Sequence, residues 1–117
     1  MELNEIKYAG QPPIDAYGPG FFRVHGVVQD GLLAILPSGM IAWDGLSDWQ
    51  AVIAARPEYD VIFVGMGADI APMPAAAKKL LDKANIPYEI MATPVSCRTY
   101  NVLLSEGRRV AIVALPV

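Results

Sequence analysis

The chain has 117 residues, a length that predicts one domain able to bury a core without a disulfide or a structural metal. Hydrophobic residues make up 54% of it and charged residues 18%, which predicts strands buried on both faces, an apolar partner surface, or both. The net charge of −3, the scattered basic residues and the single cysteine exclude a nucleic-acid-binding stripe, a disulfide framework and a multi-cysteine zinc site.

The first half of the chain predicts short strands separated by turns. Residues 1–13 are predicted to be an irregular lead-in, and Tyr17–Gly20 is a strong turn sequence. The predicted strands are residues 21–25, which Gly26 ends, 31–36 and 40–43. The last two strands form a hairpin through a three-residue loop, Pro37–Gly39.

Helices and strands alternate in the second half. The predicted helices run from Asp48 to about Ala55, from near Pro74 to Asn85, and from Thr93 to Gly107. The predicted strands are residues 61–64, 88–91 and 109–115. This alternation predicts an α/β fold with a central, largely parallel sheet, right-handed crossovers and helices packed on it. The early hairpin region either extends that sheet or forms a second layer.

Local patterns predict the helix ends and the buried faces. Ser47 begins a capping-box pattern, and Thr93 is predicted to cap the last helix, with Pro94 in its first position. Asn85 is predicted to adopt a left-handed conformation, and Gly107 to end the last helix. The residues predicted to be buried are Ala77, Leu80, Leu81 and Ala84 in the second helix and Val95, Thr99, Val102 and Leu103 in the last.

Two segments follow strand ends, where open α/β sheets place their ligands. They are residues 65–69 and 92–96, and the second leads into a helix N-terminus whose free N–H groups attract anions. We favour the simpler interpretation, a tight turn, because the dinucleotide fingerprint and the phosphate-binding loop are both absent. The candidates for a small-anion site at these ends are Gly65, Gly67, Asp69, Thr93 and Ser96.

Cys97 lies in the first turns of the last helix, where a thiol pKa can be lowered. A nucleophile needs a base, and the only histidine, His25, is far away in sequence. We therefore favour a buried, structural Cys97. One histidine cannot make a metal site, and no cluster with ligand spacing accompanies it, so we expect no metal and no cofactor.

Arg98 lies beside Thr99 and Asn101 on the same helix, and packing alone does not require these polar residues. The guanidinium can bind a ligand carboxylate in bidentate fashion. It can also clamp the loops at the strand ends, for example through Asp44 or Asp69, and this is the interpretation we favour.

Trp43 and Tyr17 are the candidates for a partner surface. Trp43 follows a predicted strand, where core packing is the commoner role, but a half-exposed tryptophan suits an interface. The most apolar window, residues 61–77, contains glycines and prolines, so we expect no transmembrane segment. The N-terminal residues show no targeting pattern, which predicts a cytoplasmic protein.

Four segments carry a resemblance: Ile14–Val24, Leu36–Gly39 with Trp43, Val64–Gly67 and Thr93–Ala111. The block Arg98–Leu104 is the most specific. Together they resemble the domain-of-unknown-function family 498, the Mth938-like family, which includes mitochondrial complex I assembly factor 3 and an adipogenesis-associated human protein. The resemblance implies a compact three-layer α/β domain with a mixed central sheet. It supplies no catalytic residues.

The resemblance also implies a function. We expect a bacterial, non-enzymatic binding or assembly factor, similar to the complex I assembly branch, with a protein partner and a monomeric or weakly homo-oligomeric state. The alternative is a small-molecule site at the strand ends, which could be enzymatic. Its lining would be Gly65, Gly67, Asp69, Thr93, Ser96, Cys97 and Arg98, with Thr99 and Asn101 beside them.

Overall fold

The computed structural model describes residues 11–117, so most of the predicted lead-in, residues 1–10, lies outside the described part. The strands are β1 Ala16–Gly18, β2 Phe21–Val24, β3 Val27–Asp30, β4 Leu33–Leu36, β5 Gly39–Met40, β6 Val61–Gly65, β7 Tyr88–Met91 and β8 Val110–Ala114. The helices are α1 Gln50–Ala54, α2 Ala75–Lys83 and α3 Thr93–Ser105, with a 3₁₀ turn at Arg56–Glu58. Residues 11–13 belong to no helix or strand.

A five-stranded sheet in the order β5-β4-β8-β6-β7 forms the middle of the molecule. Strand β6 is parallel to β7 and β8, whereas β4 is antiparallel to β8 and β5. Four of the five strands therefore point the same way, which confirms the predicted mixed, mostly parallel sheet. The β6–α2–β7 and β7–α3–β8 connections run in opposite directions along the sheet. Right-handed crossovers then place their helices on opposite faces, which is where α2 and α3 lie.

Side chains alternate between the two faces of the central strands, because successive residues of a strand point in opposite directions. Ile62 and Val64 point into the first core, on the α1 and α2 side, whereas Phe63 points into the second core, on the α3 side. Strands β4 and β8 alternate in the same way and are fully buried. The apolar excess of the composition thus reflects strands that are covered on both faces.

The early strands take both of the roles left open by the sequence. Strands β1, β2 and β3 form a separate antiparallel sheet that packs with α3 on the second face, through the buried Phe22 and Val24. Strands β4 and β5 instead extend the central sheet. The result is the expected three-layer arrangement, with α1 and α2, the central sheet, and α3 with the small sheet as its layers.

Three predictions in the first half of the chain were wrong, two about strands and one about a loop length. Strand β1 occupies part of the predicted turn, and β3 was not predicted at all. His25 and Gly26 have φ of 56° and 74°, and they join β2 to β3 as a two-residue hairpin turn in which both residues need a positive φ. The loop from β4 to β5 is also two residues, Pro37 and Ser38, because Leu36 pairs with Gly39.

The predicted capping box at Ser47 was wrong as well. Helix α1 begins at Gln50, with Trp49 in the cap position and no side-chain capping bond. The indole N–H groups of Trp43 and Trp49 donate to the carbonyls of Asp48 and Leu46, each at 2.6 Å. These bonds hold the preceding residues in a turn, so the helix starts later than the sequence pattern indicates.

Helix α3 buries only part of the predicted face: Thr99 is half-buried and Leu103 packs against the second core, but the two valines are exposed. Its buried residues are Thr93, Ser96, Cys97 and Tyr100, whereas the side chains of Val95 and Val102 are 42% and 48% exposed. In α2, Ala77 and Leu81 are buried as predicted, but Leu80 is 47% exposed. The first turn of this inner face carries the small polar residues Thr93 and Ser96 because it lies very close to a glycine of β6, as described below.

Both predicted helix ends are confirmed. Asn85 has a φ of 56°, and Gly107 has a φ of 80°. The N–H groups of Gly107 and Arg108 donate to the carbonyls of Leu104 and Leu103, each at 3.0 Å, which is the bonding pattern of a Schellman motif.

Candidate functional site

Thr93 joins three elements at the carboxyl ends of the parallel strands. Its hydroxyl accepts a hydrogen bond from the N–H of Gly67 at 2.9 Å and donates one to the carbonyl of Leu115 at 2.7 Å. Its own N–H donates to the carbonyl of Gly67 at 2.7 Å. Thr93 is the first residue of α3, with Ala92 in the cap position, so its predicted role as an N-cap was wrong. It ties the ends of β6 and β8 to the start of α3.

Gly65 permits the close packing of α3 on β6. A Cβ atom at this position would lie 2.6 Å from the Ser96 hydroxyl oxygen and 2.8 Å from that of Thr93. Ser96 is fully buried and donates to the carbonyl of Thr93 at 2.8 Å. Gly67, with a φ of 103°, supplies the turn conformation that lets its N–H and carbonyl both meet Thr93. The anion-site candidates Gly65, Gly67, Thr93 and Ser96 therefore lie against one another. The polar groups of Thr93 and Ser96 bond to the backbone of this cluster and of Leu115.

Asn101 and Tyr100 hold the segment that leads into β1. The Asn101 side chain donates to the carbonyl of Ile14 at 2.8 Å and accepts from the N–H of the same residue at 2.9 Å. The buried Tyr100 hydroxyl donates to the carbonyl of Pro12 at 2.7 Å. Each bond replaces the backbone partner that an irregular, partly buried segment otherwise lacks. Asn101, a candidate ligand residue, thus has both of its polar groups engaged.

Cys97 is 4% exposed and belongs to the second core. Burial raises the pKa of its thiol to about 11, although the Ser96 side chain acts in the opposite direction. The thiol is therefore protonated at neutral pH and is a poor nucleophile. His25 lies in the β2–β3 turn, and no group of three or more potential metal ligands occurs within residues 11–117.

Arg98 and Tyr17 border a shallow groove of about 240 Å³ between α3 and β1. The rest of its lining is Ile14, Asp15, Ala16, Pro94, Cys97 and Asn101. Arg98 is exposed, and the ion pairs between described residues are Lys78 with Asp82 and Arg109 with Asp60. Arg98 forms no ion pair with Asp44 or Asp69, so neither of the two examples given for the clamp is formed. Thr99, next along the helix, is half-buried.

Asp69 and Trp43 lie apart from this groove. Asp69 is exposed in the loop after β6. Trp43 is 6% exposed and packs edge-on against Trp49, with ring centroids 5.7 Å apart. Trp43 therefore does not form an exposed partner surface, because the first core and its hydrogen bond to Asp48 hold the ring inside. Tyr17 remains accessible, with 42% of its surface exposed.

The outer face of α3 is the feature that the sequence interpretation missed. Val95, Arg98 and Val102 are spaced three and four residues apart and lie along one exposed side of the helix. The sequence does contain the pattern that reveals this face. Thr93, Cys97 and Tyr100 are also spaced at helical intervals, and they form the buried stripe that leaves the valines outside.

The comparisons with known proteins agree with this fold. The family model described as "Protein of unknown function (DUF498/DUF598)" matches residues 14–115. An uncharacterized protein of Rhodobacter capsulatus is 44% identical over 116 residues, which cover 99% of this chain and 94% of that protein. NADH dehydrogenase [ubiquinone] 1 alpha subcomplex assembly factor 3 of Drosophila melanogaster is 31% identical, and that of Danio rerio is 28% identical. These matches cover 83% and 88% of this chain, but only 54% and 63% of the two assembly factors.

Solved structures share the whole arrangement. A structure described as an outer membrane protein from Bartonella henselae superposes with a TM-score of 0.83 at 31% identity, covering 93% of this chain and 98% of that one. A Bordetella pertussis protein described as a Mth938-like domain gives a TM-score of 0.71 at 25% identity, with coverages of 99% and 92%. Within residues 11–117, no helix is both long enough and apolar enough to cross a bilayer.

Gly65→Ala tests the close packing of α3 on β6. We expect the free energy of unfolding to fall by about 1–3 kcal/mol, because the added methyl group overlaps two hydroxyl oxygens. Urea denaturation measures the change. Ser96→Ala is the matched background, since it removes the nearer oxygen. The Gly65→Ala loss should be smaller there, and equal losses in both backgrounds would contradict the packing argument.

Alkylation of Cys97 tests its buried, protonated state. A pKa of about 11, against 9 for the ordinary thiol, leaves about 100-fold less thiolate at pH 7.5. We therefore expect iodoacetamide to modify the folded protein at least about 100-fold more slowly than the urea-unfolded protein, as followed by mass spectrometry. The folded rate should rise steeply as the pH approaches 11. Equal rates in the two states at pH 7.5 would refute the argument.

Proposed function

This chain belongs to the DUF498/DUF598 family of proteins of unknown function, and on that premise we propose that it is a non-enzymatic binding domain for a protein partner. The observation that carries the proposal is the exposed outer side of α3. Val95 and Val102 lie on it, each nearly half exposed, and Arg98 lies between them. Arg98 and Tyr17 border the groove between α3 and β1. We call Val95, Arg98, Val102 and Tyr17 the α3 surface.

The composition of the α3 surface suits a protein interface. Such interfaces combine an apolar centre with aromatic and arginine side chains that anchor the partner. The groove volume of about 240 Å³ is below the roughly 300–1,000 Å³ that is usual for small-molecule pockets. It has room for one carboxylate side chain of a partner, which the Arg98 guanidinium would bind in bidentate fashion.

The inward side of α3 supports a binding role over a catalytic one. Thr93, Ser96 and Asn101 direct their polar groups at backbone atoms, and burial keeps the Cys97 thiol protonated. The side chains that could begin a reaction therefore serve the fold. A rigid helix fixed in this way presents its outer side chains with little loss of entropy on binding.

The named relatives suggest the kind of partner. Several are called NADH dehydrogenase assembly factors, and by analogy we propose that the partner is a protein subunit held during the assembly of a respiratory complex. In this proposal residues 1–117 act as one unit in the cytoplasm, as a monomer or weak homo-oligomer. The alternative is that a free small anion, rather than a partner carboxylate, occupies the groove between α3 and β1.

Affinity capture with matched variants tests the α3 surface. The tagged protein is captured from cells of its own organism, the bound proteins are identified by mass spectrometry, and the binding is repeated with the purified partner. We expect Val102→Asp and Arg98→Gln each to weaken binding by at least about tenfold, because one places a charge in the apolar centre and the other removes the anchor.

Val28→Asp is the control, because Val28 is 51% exposed, close to the 48% of Val102, but lies on β3. It should bind the partner like the unaltered chain. Equal binding by Val102→Asp would contradict the proposal. Failure to recover any partner, together with Arg98-dependent binding of inorganic phosphate or citrate by calorimetry, would favour the small-anion alternative instead.

A further inference from the structure

A second unfilled apolar surface lies on the opposite side of the molecule, along α2. A cleft of about 400 Å³ separates this helix from the turn that precedes α1. Leu46, Trp49 and Pro74 form one part of its lining, and Ala76 and Leu80 on α2 form another. The volume lies within the roughly 300–1,000 Å³ that is typical of binding clefts. The cleft is therefore large enough to receive side chains of another molecule.

Helix α2 does not use all of its apolar residues to cover the core. Ala77 and Leu81 are 2% and 0% exposed, but Leu80 is 47% exposed although it lies beside them on the helix. Ala75 and Ala76 are exposed as well. The exposed part of Leu80 lies at the mouth of the apolar cleft and covers none of the core. It is therefore available to contact another molecule.

The outer border of this cleft is basic. Lys79 and Lys83 line the adjoining surface with Leu80, and their positions four residues apart place them on the same side of α2. Neither takes part in an ion pair between described residues, whereas Lys78, which lines a common surface with Lys79 and Lys83, pairs with Asp82 at 3.0 Å. Lys79 and Lys83 therefore form a local positive site, although the net charge of the chain is −3.

We propose that the α2 cleft, defined by Leu46, Trp49, Ala76, Leu80, Lys79 and Lys83, binds an acidic amphipathic helix of a protein partner. Apolar side chains of that helix, three or four residues apart, enter the cleft over Leu80. Carboxylates along one flank meet Lys79 and Lys83, whose spacing of about 6 Å along the axis matches residues four apart on a facing helix. Nine residues of α2 extend about 14 Å, which sets the contacting part of the partner helix at roughly two and a half turns.

This inference goes beyond the proposed function and does not depend on it. The α2 cleft lies over the first core, whereas the α3 surface lies over the second, on the other face of the central sheet. A chain with both surfaces can hold two segments at once, either from two partners or from one long partner. Loss of either surface leaves the other in place, so the two can be tested separately.

Selection from a peptide library tests the charge and the shape of the ligand together. The library contains 14-residue helical peptides with leucine at positions i, i+3, i+4 and i+7 and with Glu, Gln or Lys at the flanking positions. It is selected on the full chain. We expect enrichment of Glu on one flank. Fluorescence anisotropy then measures the affinity of an enriched peptide for the protein and its variants.

Leu80→Ser and the double variant Lys79→Gln, Lys83→Gln should each weaken peptide binding by at least about tenfold. Raising the salt from 0.05 to 0.5 M should weaken it as well, because the lysines are exposed to solvent. Arg108→Gln, which removes an exposed positive charge beyond the end of α3, and Val102→Asp are the controls, and both should bind the peptide normally. Thermal unfolding confirms that each variant is folded, so a loss of binding reports on the cleft.

Several outcomes would overturn the inference. These are no enrichment of acidic peptides, enrichment of basic ones, or unchanged binding in the Leu80 and lysine variants. Lysine-dependent binding to vesicles of phosphatidylglycerol, without peptide binding, would assign the surface to a membrane. Sedimentation that shows a dimer lost in Leu80→Ser, again without peptide binding, would assign it to a second copy of the chain.

Discussion

The hydroxyl group of Thr93 is the contact on which the rest of the structure depends. It lies where the parallel strands β6 and β8 end, and it bonds to the backbone of Gly67 after one strand and of Leu115 after the other. The same residue begins α3, so the position of the helix and the register of the strand ends are fixed together. Because Gly65 has no side chain, the helix can approach close enough for these bonds to form.

This constraint determines what each side of α3 can do. An inner face that approaches the sheet so closely must carry small or hydrogen-bonded side chains, and its polar residues then find partners in the backbone. Asn101 and Tyr100 extend the same logic to the segment before β1, which they hold by three hydrogen bonds. The apolar valines are left outside. Thr93, Ser96 and Asn101, which resemble a ligand site in the sequence, thus fix which side of α3 faces the sheet. Val95 and Val102 are exposed as a result.

The parts of the fold that the sequence predicts are those governed by local chemistry. Val61–Val64 forms a buried strand because β-branched residues suit a strand that is covered on both faces, and Asn85 ends α2 because asparagine tolerates a positive φ. Strand β3 was not predicted because the turn before it lacks the usual hairpin signal. His25 adopts a left-handed conformation there, at a position that usually carries Asn or Gly. The roles of Thr93 and Asn101 depend on residues 22 and 87 positions away, and no local pattern reports such contacts.

The polar residues at the strand ends hold the fold together, and the stability of Thr93→Val beside that of Thr93→Ser tests this dependence. Valine keeps the shape but leaves the Gly67 N–H and the Leu115 carbonyl without their partner, whereas serine keeps the hydroxyl group. Urea unfolding should show a loss of roughly 2–4 kcal/mol for valine and a clearly smaller loss for serine. A valine variant within about 0.5 kcal/mol of the unaltered chain, below the usual worth of one hydrogen bond, would contradict the claim.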